Sequence, residues 1–389
     1  MNILHVYKTS MPDSIGGVES FIDTLCKEDC RLGVKNTVLS LSKTPNPDPI
    51  HLDGYTVHQA KQNLFVGSTG FSLSAFGQFK KLANKADIIH YHFPNPFADM
   101  LHLAYSPKKP SIVTYHSDII RQKYLLHIYR PLKQRFLNSV DNIVATSPNY
   151  FATSDILQKY ADKVSVIPIG IDHRFYETAD PKRLKYWRGR LPEPFFLFVG
   201  AMRYYKGLHL ALEAIAGTKI RVAIAGINGI EKELKAQAAS LQLNNIDFLG
   251  FVKDEDKIAL IHLCYGFVFP SHLRSEAFGI ALLEAATVGK PMISCEIGTG
   301  TTFVNVANET GLVINPGSPR ELREAMQHLL DHPDIAARMG ENAKKRSSEL
   351  FTADRQAKSY YELYQRLLDS KQRDSRKTET GKCLKTVCL

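Results

Sequence analysis

The sequence lacks the features that place a protein in or across a membrane. It has no apolar run near the ~20 residues of a bilayer-spanning helix, and its start, Met1–His5, lacks the basic and apolar regions of a signal peptide. Hydrophobic side chains form 44% and charged ones 23% of the 389 residues, a balance that excludes fibrous and disordered classes. We therefore expect a cytoplasmic protein with two folded domains.

Cysteine is also scarce, and several catalytic motifs are missing. The six cysteines include no Cys-x-x-Cys pair, so neither a zinc site nor a disulfide framework is predicted. No Asp-x-Asp motif stands at the end of a predicted strand, and no Gly-x-Ser-x-Gly nucleophile elbow occurs. Gly226-Ile227-Asn228-Gly229 is only a fragment of a dinucleotide loop, which disfavours hydride transfer with NAD. We expect no metal ion.

Positive charge is in excess, with a net charge of +10. Residues 1–170 carry 18 basic and 13 acidic side chains, residues 171–370 carry 25 and 24, and residues 371–389 carry 6 and 2. An excess confined to the first part and the tail suits an anionic surface, either lipid headgroups or nucleic acid. Nucleic acid is the weaker alternative because no recognition motif accompanies the charge.

Short apolar segments alternate with helical patterns, which is typical of parallel sheets wrapped by helices. The alternation stops at Ser165–Asp172 and restarts at Phe195. This predicts two doubly wound Rossmann-like α/β domains, residues 1–170 and 171–352, then a helix over 353–370 that returns to the first domain and a basic disordered tail over 371–389. The predicted strands are Ile3–Tyr7, Thr37–Leu41, Asp87–Tyr91, Ser111–Tyr115, Asn142–Thr146, Val164–Ile167, Phe195–Val199, Arg221–Ala225, Asp247–Leu249, Gly266–Phe269 and Pro291–Ser294.

The segment Pro270–Ala286 follows an apolar strand and opens a helix near Gly279. The unpaired amides and the positive dipole end of a helix N-terminus favour an anion, and a glycine leaves room for its close approach. Ligands of α/β sheets bind at the carboxyl ends of the strands, so two facing sheets would place this ligand in the cleft between them. We predict that this helix start binds a phosphate.

Charged side chains flank the predicted phosphate site. Glu276 precedes the helix and Glu284 lies on its second turn, and each carboxylate can accept two hydroxyl hydrogen bonds from a diol. Spacing alone equally allows Glu276 to pair with the helix dipole and Glu284 to be solvated. Arg203 and Lys206 follow the first strand of the second domain and could bind a diphosphate. As isolated charges they would instead face solvent.

These segments together resemble a known family. Glu276-x7-Glu284, Gly200-x2-Arg203-x2-Lys206-Gly207, Gly16-Gly17-Val18-Glu19 and Ile167–Asp172 are similar to retaining glycosyltransferases of family 4, which have the GT-B fold. The resemblance covers residues 1–368. The residue sequences of Ser271–Ile280 and Lys290–Thr301 are similar to those of bacterial O-antigen mannosyltransferases that use GDP-mannose.

The resemblance implies a role for each matching position. Glu276 would contact hydroxyls of the transferred sugar, Glu284 the ribose, and Arg203 and Lys206 the phosphates. The backbone at Phe278, Gly279 and Ile280 would bind the diphosphate and the sugar. Gly16 and Gly17 would let backbone of the first domain approach the phosphate, and His116, after the strand Ser111–Tyr115, would touch the donor sugar. An ordinary turn at the two glycines and a structural histidine are the alternatives.

The acceptor side is predicted from the segment Arg121–Phe136, which mixes five basic residues with apolar ones. Leu125, Ile128, Tyr129, Leu132 and Phe136 fall on one helical stripe, although Pro131 should interrupt the helix. Such a surface could lie on an anionic inner membrane and meet a lipid-linked acceptor. The stripe could equally pack on the sheet.

We predict a retaining, metal-independent glycosyltransferase with His116, Glu276, Arg203 and Lys206 as catalytic residues. It would move mannose from GDP-mannose onto a lipid-linked saccharide of O-antigen or another surface polysaccharide, at the cytoplasmic face of the inner membrane. The resemblance suggests front-face displacement, in which the leaving phosphate oxygen helps to deprotonate the acceptor hydroxyl. The alternatives are a UDP-sugar-dependent transferase, an epimerase of the same fold, and a non-catalytic sugar-nucleotide-binding protein.

Overall fold

The computed structural model describes residues 1–119 and 123–386, the side chains of 123–126 and 374–386 excepted. It divides into two compact units. The first contains residues 1–146, 155–167 and the helix that begins at Ala353, and the second contains residues 147–154 and 168–352. The chain therefore passes between the units near residue 167, and the short segment 147–154 belongs to the second unit.

The strands are short and mostly buried, as expected for parallel sheets covered on both faces. They are β1 (Asn2–Val6), β2 (Lys35–Ser42), β3 (Ile50–Leu52), β4 (Tyr55–Lys61), β5 (Leu64–Val66), β6 (Thr69–Phe71), β7 (Ile88–Phe93), β8 (Ser111–Tyr115), β9 (Asn142–Ala145), β10 (Val164–Val166), β11 (Phe196–Val199), β12 (Val222–Ala225), β13 (Ile246–Gly250), β14 (Gly266–Phe269), β15 (Met292–Cys295) and β16 (Gly311–Ile314).

The helices follow the strands in alternation. They are α1 (Gly17–Arg31), α2 (Ser74–Lys85), α3 (Pro96–Tyr105), α4 (Lys123–Ser139), α5 (Pro148–Thr153), α6 (Asp155–Gln158), α7 (Pro181–Arg188), α8 (Leu208–Ile215), α9 (Glu231–Ser240), α10 (Asp254–Leu263), α11 (Ile280–Val288), α12 (Thr301–Val304), α13 (Pro319–Asp331), α14 (Pro333–Leu350) and α15 (Ala353–Thr386). Several begin with a proline directly after a capping side chain, namely Asn95, Ser147, Asp180 and Ser318.

Both units contain a doubly wound sheet. The sheet of the first has the order β10-β9-β8-β7-β1-β2-β4-β3, with only β3 antiparallel to its neighbour, and β5 and β6 form a separate hairpin. The sheet of the second has the order β13-β12-β11-β14-β15-β16 and is parallel throughout. Strand order reverses direction between β1 and β7 and between β11 and β14, which are the positions where such sheets bind ligands. The predicted α/β fold class is confirmed.

The C-terminal helix packs in the first unit. The hydroxyl of Tyr360 lies 2.8 Å from Oγ1 of Thr114, and that of Tyr364 lies 2.8 Å from Nδ1 of His90. The prediction of a disordered tail from residue 371 is wrong for residues up to Thr386, because α15 continues to that point. Six of the sixteen residues 371–386 are lysine or arginine, which are good helix formers, and elongation of an already packed helix is easier than its nucleation. Residues 387–389 lie outside the described residues.

The basic amphipathic segment of the first unit forms α4, and the predicted interruption at Pro131 is wrong because the helix continues through it. The hydroxyl of Tyr129 donates to the buried Asp99 and Phe136 is fully buried, so contacts on both sides of the proline anchor the helix. Ile128 is 78% exposed, so the apolar stripe is divided between core and surface. Arg121 and Gln122 lie outside the described residues. No helix in the described ranges is both long and apolar enough to cross a bilayer.

Candidate active site

Two loops meet at the switch point of the second sheet. The loop after β11 ends at Gly207, whose φ of +71° lies in the left-handed region. A Cβ at Gly207 would approach the carbonyl oxygen of Pro270, after β14, to 2.0 Å, so only glycine allows the contact. The amide of His272 donates to the carbonyl of Tyr205 at 3.0 Å and joins the same loops. The geometry brings the Arg-Lys segment to the predicted phosphate loop.

Lys206 and Glu276 form an ion pair across these loops. Their side chains are only 13% and 11% exposed, and Oγ of Ser271 donates to Oε2 of Glu276 at 3.3 Å. Nζ of Lys206 also lies 4.5 Å from the centre of the Phe269 ring, a cation–π distance. Lys206 is therefore fixed at the carboxyl end of β14, where it can donate to an incoming phosphate.

The start of α11 presents unpaired donors beside this pair. Gly279 precedes the helix with a φ of +90° and no side chain caps it. In the part of the chain that the structure describes, the amides of Phe278, Gly279 and Ile280 donate to no backbone carbonyl. The loop is held by the amide of Gly300, which donates to the carbonyl of Ala277 at 2.8 Å. Unsatisfied amides at a helix N-terminus are an anion site.

Glu284, on the second turn of α11, is buried and already bonded. It accepts from the hydroxyl of Tyr176 at 2.6 Å and from Nζ of Lys257 at 2.9 Å. Lys257 also pairs with Asp254 at 3.0 Å. Burial acts to lower the pKa of Lys257, but the two carboxylates outweigh it and raise that pKa. Glu284 is thus an oriented carboxylate rather than a solvated one.

Arg203 is placed differently from Lys206. It lies on the same loop but is exposed, and among the described residues its guanidinium has no hydrogen bond or ion pair. Its neighbour Met202 forms an isolated β-bridge with Gly229 in the loop after β12. A Cβ added at Gly229 would lie 3.5 Å from Cδ of Arg203, so the Arg203 side chain passes close to this loop. The structure does not bring Arg203 into contact with Glu276. An uncommitted guanidinium beside a strand end remains available to a ligand.

In the first unit, Gly16 and Gly17 begin α1 after the loop that follows β1. Glu19 organises this loop: its Oε1 accepts from Oγ1 of Thr9 at 2.6 Å and from Oγ of Ser14 at 3.1 Å. A Cβ at Gly16 would come within 2.5 Å of the Glu19 carboxylate, so glycine leaves room for this arrangement. The helix start has no side-chain cap.

His116 follows β8 and is buried. Its ring packs edge-on against Phe21 of α1 with centroids 4.8 Å apart, which links it to the helix that the two glycines begin. Nε2 of His116 lies 3.1 Å from Nδ1 of His92. Burial lowers the pKa of His116 to about 3, so the imidazole is neutral at pH 7.

The described residues place three metal-ligating side chains close together, His5, His90 and His92, with ligand atoms within 4.8 Å. Both nitrogens of His90 already lie within 2.8 Å of hydroxyl oxygens, and His5 and His92 bond to each other at 3.1 Å. Their lone pairs therefore do not converge on one point.

The residue pair Asp254 and Asp256 has Asp-x-Asp spacing in α10, but both side chains bond to neighbouring basic or indole groups. Neither set resembles an open metal site.

Several residues of these sites are not predicted from the sequence. Tyr176 and Lys257 orient Glu284, Ser271 supports Glu276, and Glu19 orders the loop before α1. Glu19 stands inside the Gly-Gly-Val-Glu segment, which is a usable signal. Tyr176 and Lys257 are 108 and 27 residues from Glu284 and give none.

Two family models match the chain. "Glycosyltransferase Family 4" covers residues 15–175, and "Glycosyl transferases group 1" covers residues 186–346. The D-rhamnosyltransferase WbpZ of Pseudomonas aeruginosa is 54% identical over 353 residues, which cover 91% of this chain and 93% of the relative. The O-antigen chain mannosyltransferase C of Escherichia coli is 47% identical over 371 residues, which cover 95% of this chain and 100% of the relative.

Solved structures share the architecture at low identity. Sucrose-phosphate synthase from Thermosynechococcus elongatus aligns with a TM-score of 0.79 and 20% identity over 95% of this chain and 99% of that one. Anabaena HepE in complex with UDP-glucose aligns with a TM-score of 0.74 and 19% identity, over 93% and 99%. The two Rossmann-like units and these matches define a GT-B glycosyltransferase. Within that class the chain belongs to glycosyltransferase family 4, and the resemblance drawn from its motifs is confirmed.

Proposed function

We propose that this enzyme transfers a hexose of D-manno configuration from a GDP-sugar onto a lipid-linked saccharide in O-antigen synthesis. GDP-mannose is the leading donor because the motif sequences resemble those of GDP-mannose-dependent mannosyltransferases and a 47% identical relative is a mannosyltransferase. GDP-D-rhamnose is the second candidate because the 54% identical relative is a D-rhamnosyltransferase, and D-rhamnose is mannose without its 6-hydroxyl. The two donors share the stereochemistry that the site must recognise.

One observation carries this proposal: the buried Lys206–Glu276 pair beside the unpaired amides of α11. The amides and Lys206 suit the negative charge of a diphosphate, whereas Glu276 suits the hydroxyls of the attached sugar. The carboxylate of Glu284, oriented by Tyr176 and Lys257, suits a ribose diol. A cation, a helix N-terminus and two carboxylates together suit the phosphate and hydroxyl groups of a nucleotide-sugar.

The proposed chemistry is retention of anomeric configuration by front-face displacement. The leaving diphosphate oxygen helps to remove the proton of the acceptor hydroxyl, so the protein's part is to position both substrates and to stabilise negative charge on the diphosphate. Lys206, Arg203 and the amides of α11 supply that stabilisation, and the proposal includes no metal ion.

The acceptor is proposed to reach the enzyme at the inner-membrane surface. On α4, Ile128 is exposed, and Arg130 and Arg135 are exposed beside it. An apolar side chain flanked by basic ones suits the surface of an anionic bilayer. Flotation with vesicles of phosphatidylglycerol and phosphatidylethanolamine tests this: wild type should float and Ile128→Asp with Arg130→Glu should not, while neutral vesicles serve as the control.

The activity is tested by incubating the protein with synthetic lipid-linked saccharides and, separately, GDP-mannose, GDP-D-rhamnose, UDP-glucose and UDP-galactose. We expect transfer from one of the GDP-sugars with the α-anomer retained in the product. Transfer only from a UDP-sugar would replace the donor assignment, and an inverted product would overturn the mechanism. Conversion of the donor without transfer indicates an epimerase. Binding of GDP-mannose in a thermal-shift assay without turnover indicates a non-catalytic binding protein.

A further inference from the structure

Four polar side chains lie on one diagonal across the sheet of the first unit. Asn36 is on β2, His5 on β1, His92 on β7 and His116 directly after β8, and these strands are neighbours in that order. In the strand register, Asn36 pairs with Ile3, His5 pairs with His90, and His92 pairs with Thr114. The next residue of the diagonal lies two residues beyond that partner each time, so the diagonal moves toward the carboxyl edge of the sheet. Alternate residues of a strand share a face, so the diagonal follows one face to the edge where such sheets bind ligands.

The four side chains form a continuous hydrogen-bonded chain. Oδ1 of Asn36 lies 3.2 Å from Nε2 of His5, and Nδ1 of His5 lies 3.1 Å from Nε2 of His92. Nδ1 of His92 lies 3.1 Å from Nε2 of His116. All four residues are buried.

Every ring in this relay is neutral. Burial lowers the pKa of His5 to about 4 and that of His116 to about 3, and burial together with the neighbouring histidines lowers that of His92 well below its ordinary value. Burial also raises the pKa of the nearby Asp29 carboxyl well above its ordinary value. A neutral imidazole has one donor nitrogen and one acceptor nitrogen.

Asn36 sets the direction of all three bonds. Its Nδ2 donates to the carbonyl of Cys26 at 3.3 Å, so the atom that faces His5 is the acceptor Oδ1. His5 must therefore donate from Nε2 and accept at Nδ1, and the same holds in turn for His92. His116 must then donate from Nε2 and keep a lone pair on Nδ1. Among the described residues, no group hydrogen-bonds to that Nδ1.

We propose that Asn36, His5 and His92 are positioning residues that fix His116 in its Nε2–H tautomer and present the Nδ1 lone pair to a hydroxyl of the sugar substrate. The identity of the hydroxyl rests on the proposed function, whereas the tautomer does not. An Nδ1–H tautomer could only donate there, and an imidazolium could not accept at all. The relay thus makes His116 an acceptor for an O–H group.

The tautomer is measured directly by NMR of the full-length protein with ¹⁵N-labelled histidine. Spectra of wild type and His116→Gln identify the His116 signals among the 14 histidines. We expect His116 to show an unprotonated Nδ1 and a protonated Nε2 at pH 7. A protonated Nδ1, alone or in an imidazolium, would overturn the proposal.

Two substitutions at one position separate the relay from packing. His92→Phe keeps a ring of similar size and removes both bonds, whereas His92→Gln restores an acceptor toward His116 and a donor toward His5. We expect His92→Phe to lower kcat by about tenfold to a hundredfold, with KM for the donor little changed, as for partners that orient other functional histidines. His92→Gln should recover most of that loss, and the His116 signals should mix tautomers only in His92→Phe.

His90→Phe is the matched control. The His90 ring stacks 4.4 Å from His92 but bonds to Thr114 and Tyr364, outside the relay. It should lose stability while the His116 tautomer and kcat stay near wild type. Equal losses of kcat in His90→Phe and His92→Phe, or no rescue by His92→Gln, would reduce the relay to packing and overturn the proposal. A wild type without turnover would refute the proposed function instead, and the tautomer spectrum would still decide the relay.

Discussion

The ion pair between Lys206 and Glu276 should contribute to stability and to catalysis in separable ways. Removing one partner of a buried ion pair typically costs about 3 to 5 kcal/mol because the other charge is left unpaired, whereas replacing both with apolar groups is often neutral. These side chains are 13% and 11% exposed, and Ser271 still bonds Glu276 after the lysine is lost. We therefore expect Lys206→Met to destabilise the second unit by about 3 kcal/mol, near the lower end of that range.

The double variant Lys206→Met/Glu276→Leu should recover stability but not activity. Loss of one donor that stabilises transition-state charge costs about 3 to 4 kcal/mol, which is about a hundredfold to a thousandfold in kcat. Lys206→Met should lose that factor. The double variant should regain most of the lost stability because no unpaired charge remains, yet stay at least as inactive as the single variant.

The assay uses the single tryptophan of the chain. Trp187 is buried in the second unit, so its fluorescence during urea unfolding reports on the unit that contains the pair. The exposed pair Arg320–Glu324, at 82% and 61% exposure, is the control, and Arg320→Met should change the free energy of unfolding by less than about 0.5 kcal/mol. Lys206→Met turnover within about fivefold of wild type would refute the charge-stabilising role, since that factor is below the cost of a catalytic donor. Recovery of activity in the double variant would do the same.

Three further perturbations test the site and the core. Gly207→Ala should have a lower melting temperature than Gly217→Ala. Both glycines have a φ of +71°, but only at Gly207 would the added Cβ lie 2.0 Å from a carbonyl oxygen, that of Pro270. Glu284→Gln should weaken GDP binding by about 1.5 to 3 kcal/mol in calorimetry if the carboxylate accepts the ribose hydroxyls, and an unchanged affinity would remove that role. The pKa values of about 4 for His5 and about 3 for His116 lie below the ordinary 6.5, so the unfolded chain takes up these protons first as the pH falls. The free energy of unfolding that these two neutral rings contribute is therefore fully present above pH 6.5. It falls by about 1.4 kcal/mol per pH unit for each histidine as the pH drops from 6.5 toward these values. In His5→Gln the circular-dichroism stability profile should be shallower over that range.

Local patterns suffice for most of the fold. Each predicted strand overlaps an observed one because a doubly covered strand is a short apolar run between turns. Strands β3, β4, β5, β6 and β16 are not predicted. Strands β3, β5 and β6 are only three residues long, and polar residues, including His58 and Gln59, interrupt the apolar residues of β4. The helix after residue 370 is not predicted because a polar composition typical of disorder can still elongate a helix that is already nucleated and packed.

The candidate site divides in the same way. The sequence locates the two strand-loop-helix connections that carry Lys206 and the group Glu276, Gly279 and Glu284, but spacing alone left the surroundings of their charged side chains open. Their partners are not predicted, because the ion pair of Lys206 and Glu276 spans 70 residues and requires the sheet order β11-β14. The close approach of Gly207 to Pro270 is likewise a consequence of that order.

The histidine relay shows why sheet register carries functional information that composition cannot. Taken singly, His5, His92 and His116 each match a satisfied buried histidine at a strand position, and nothing in their spacing of 87 and 24 residues joins them. The parallel register aligns them, with Asn36, in steps of two residues. In a chain of neutral imidazoles, the hydrogen bonds can all run in one direction or all in the other. The orientation of the Asn36 amide selects one direction, and it thereby determines whether Nδ1 of His116 donates or accepts. Residues two and three strands away from His116 thereby become part of the specificity of the site without touching the substrate.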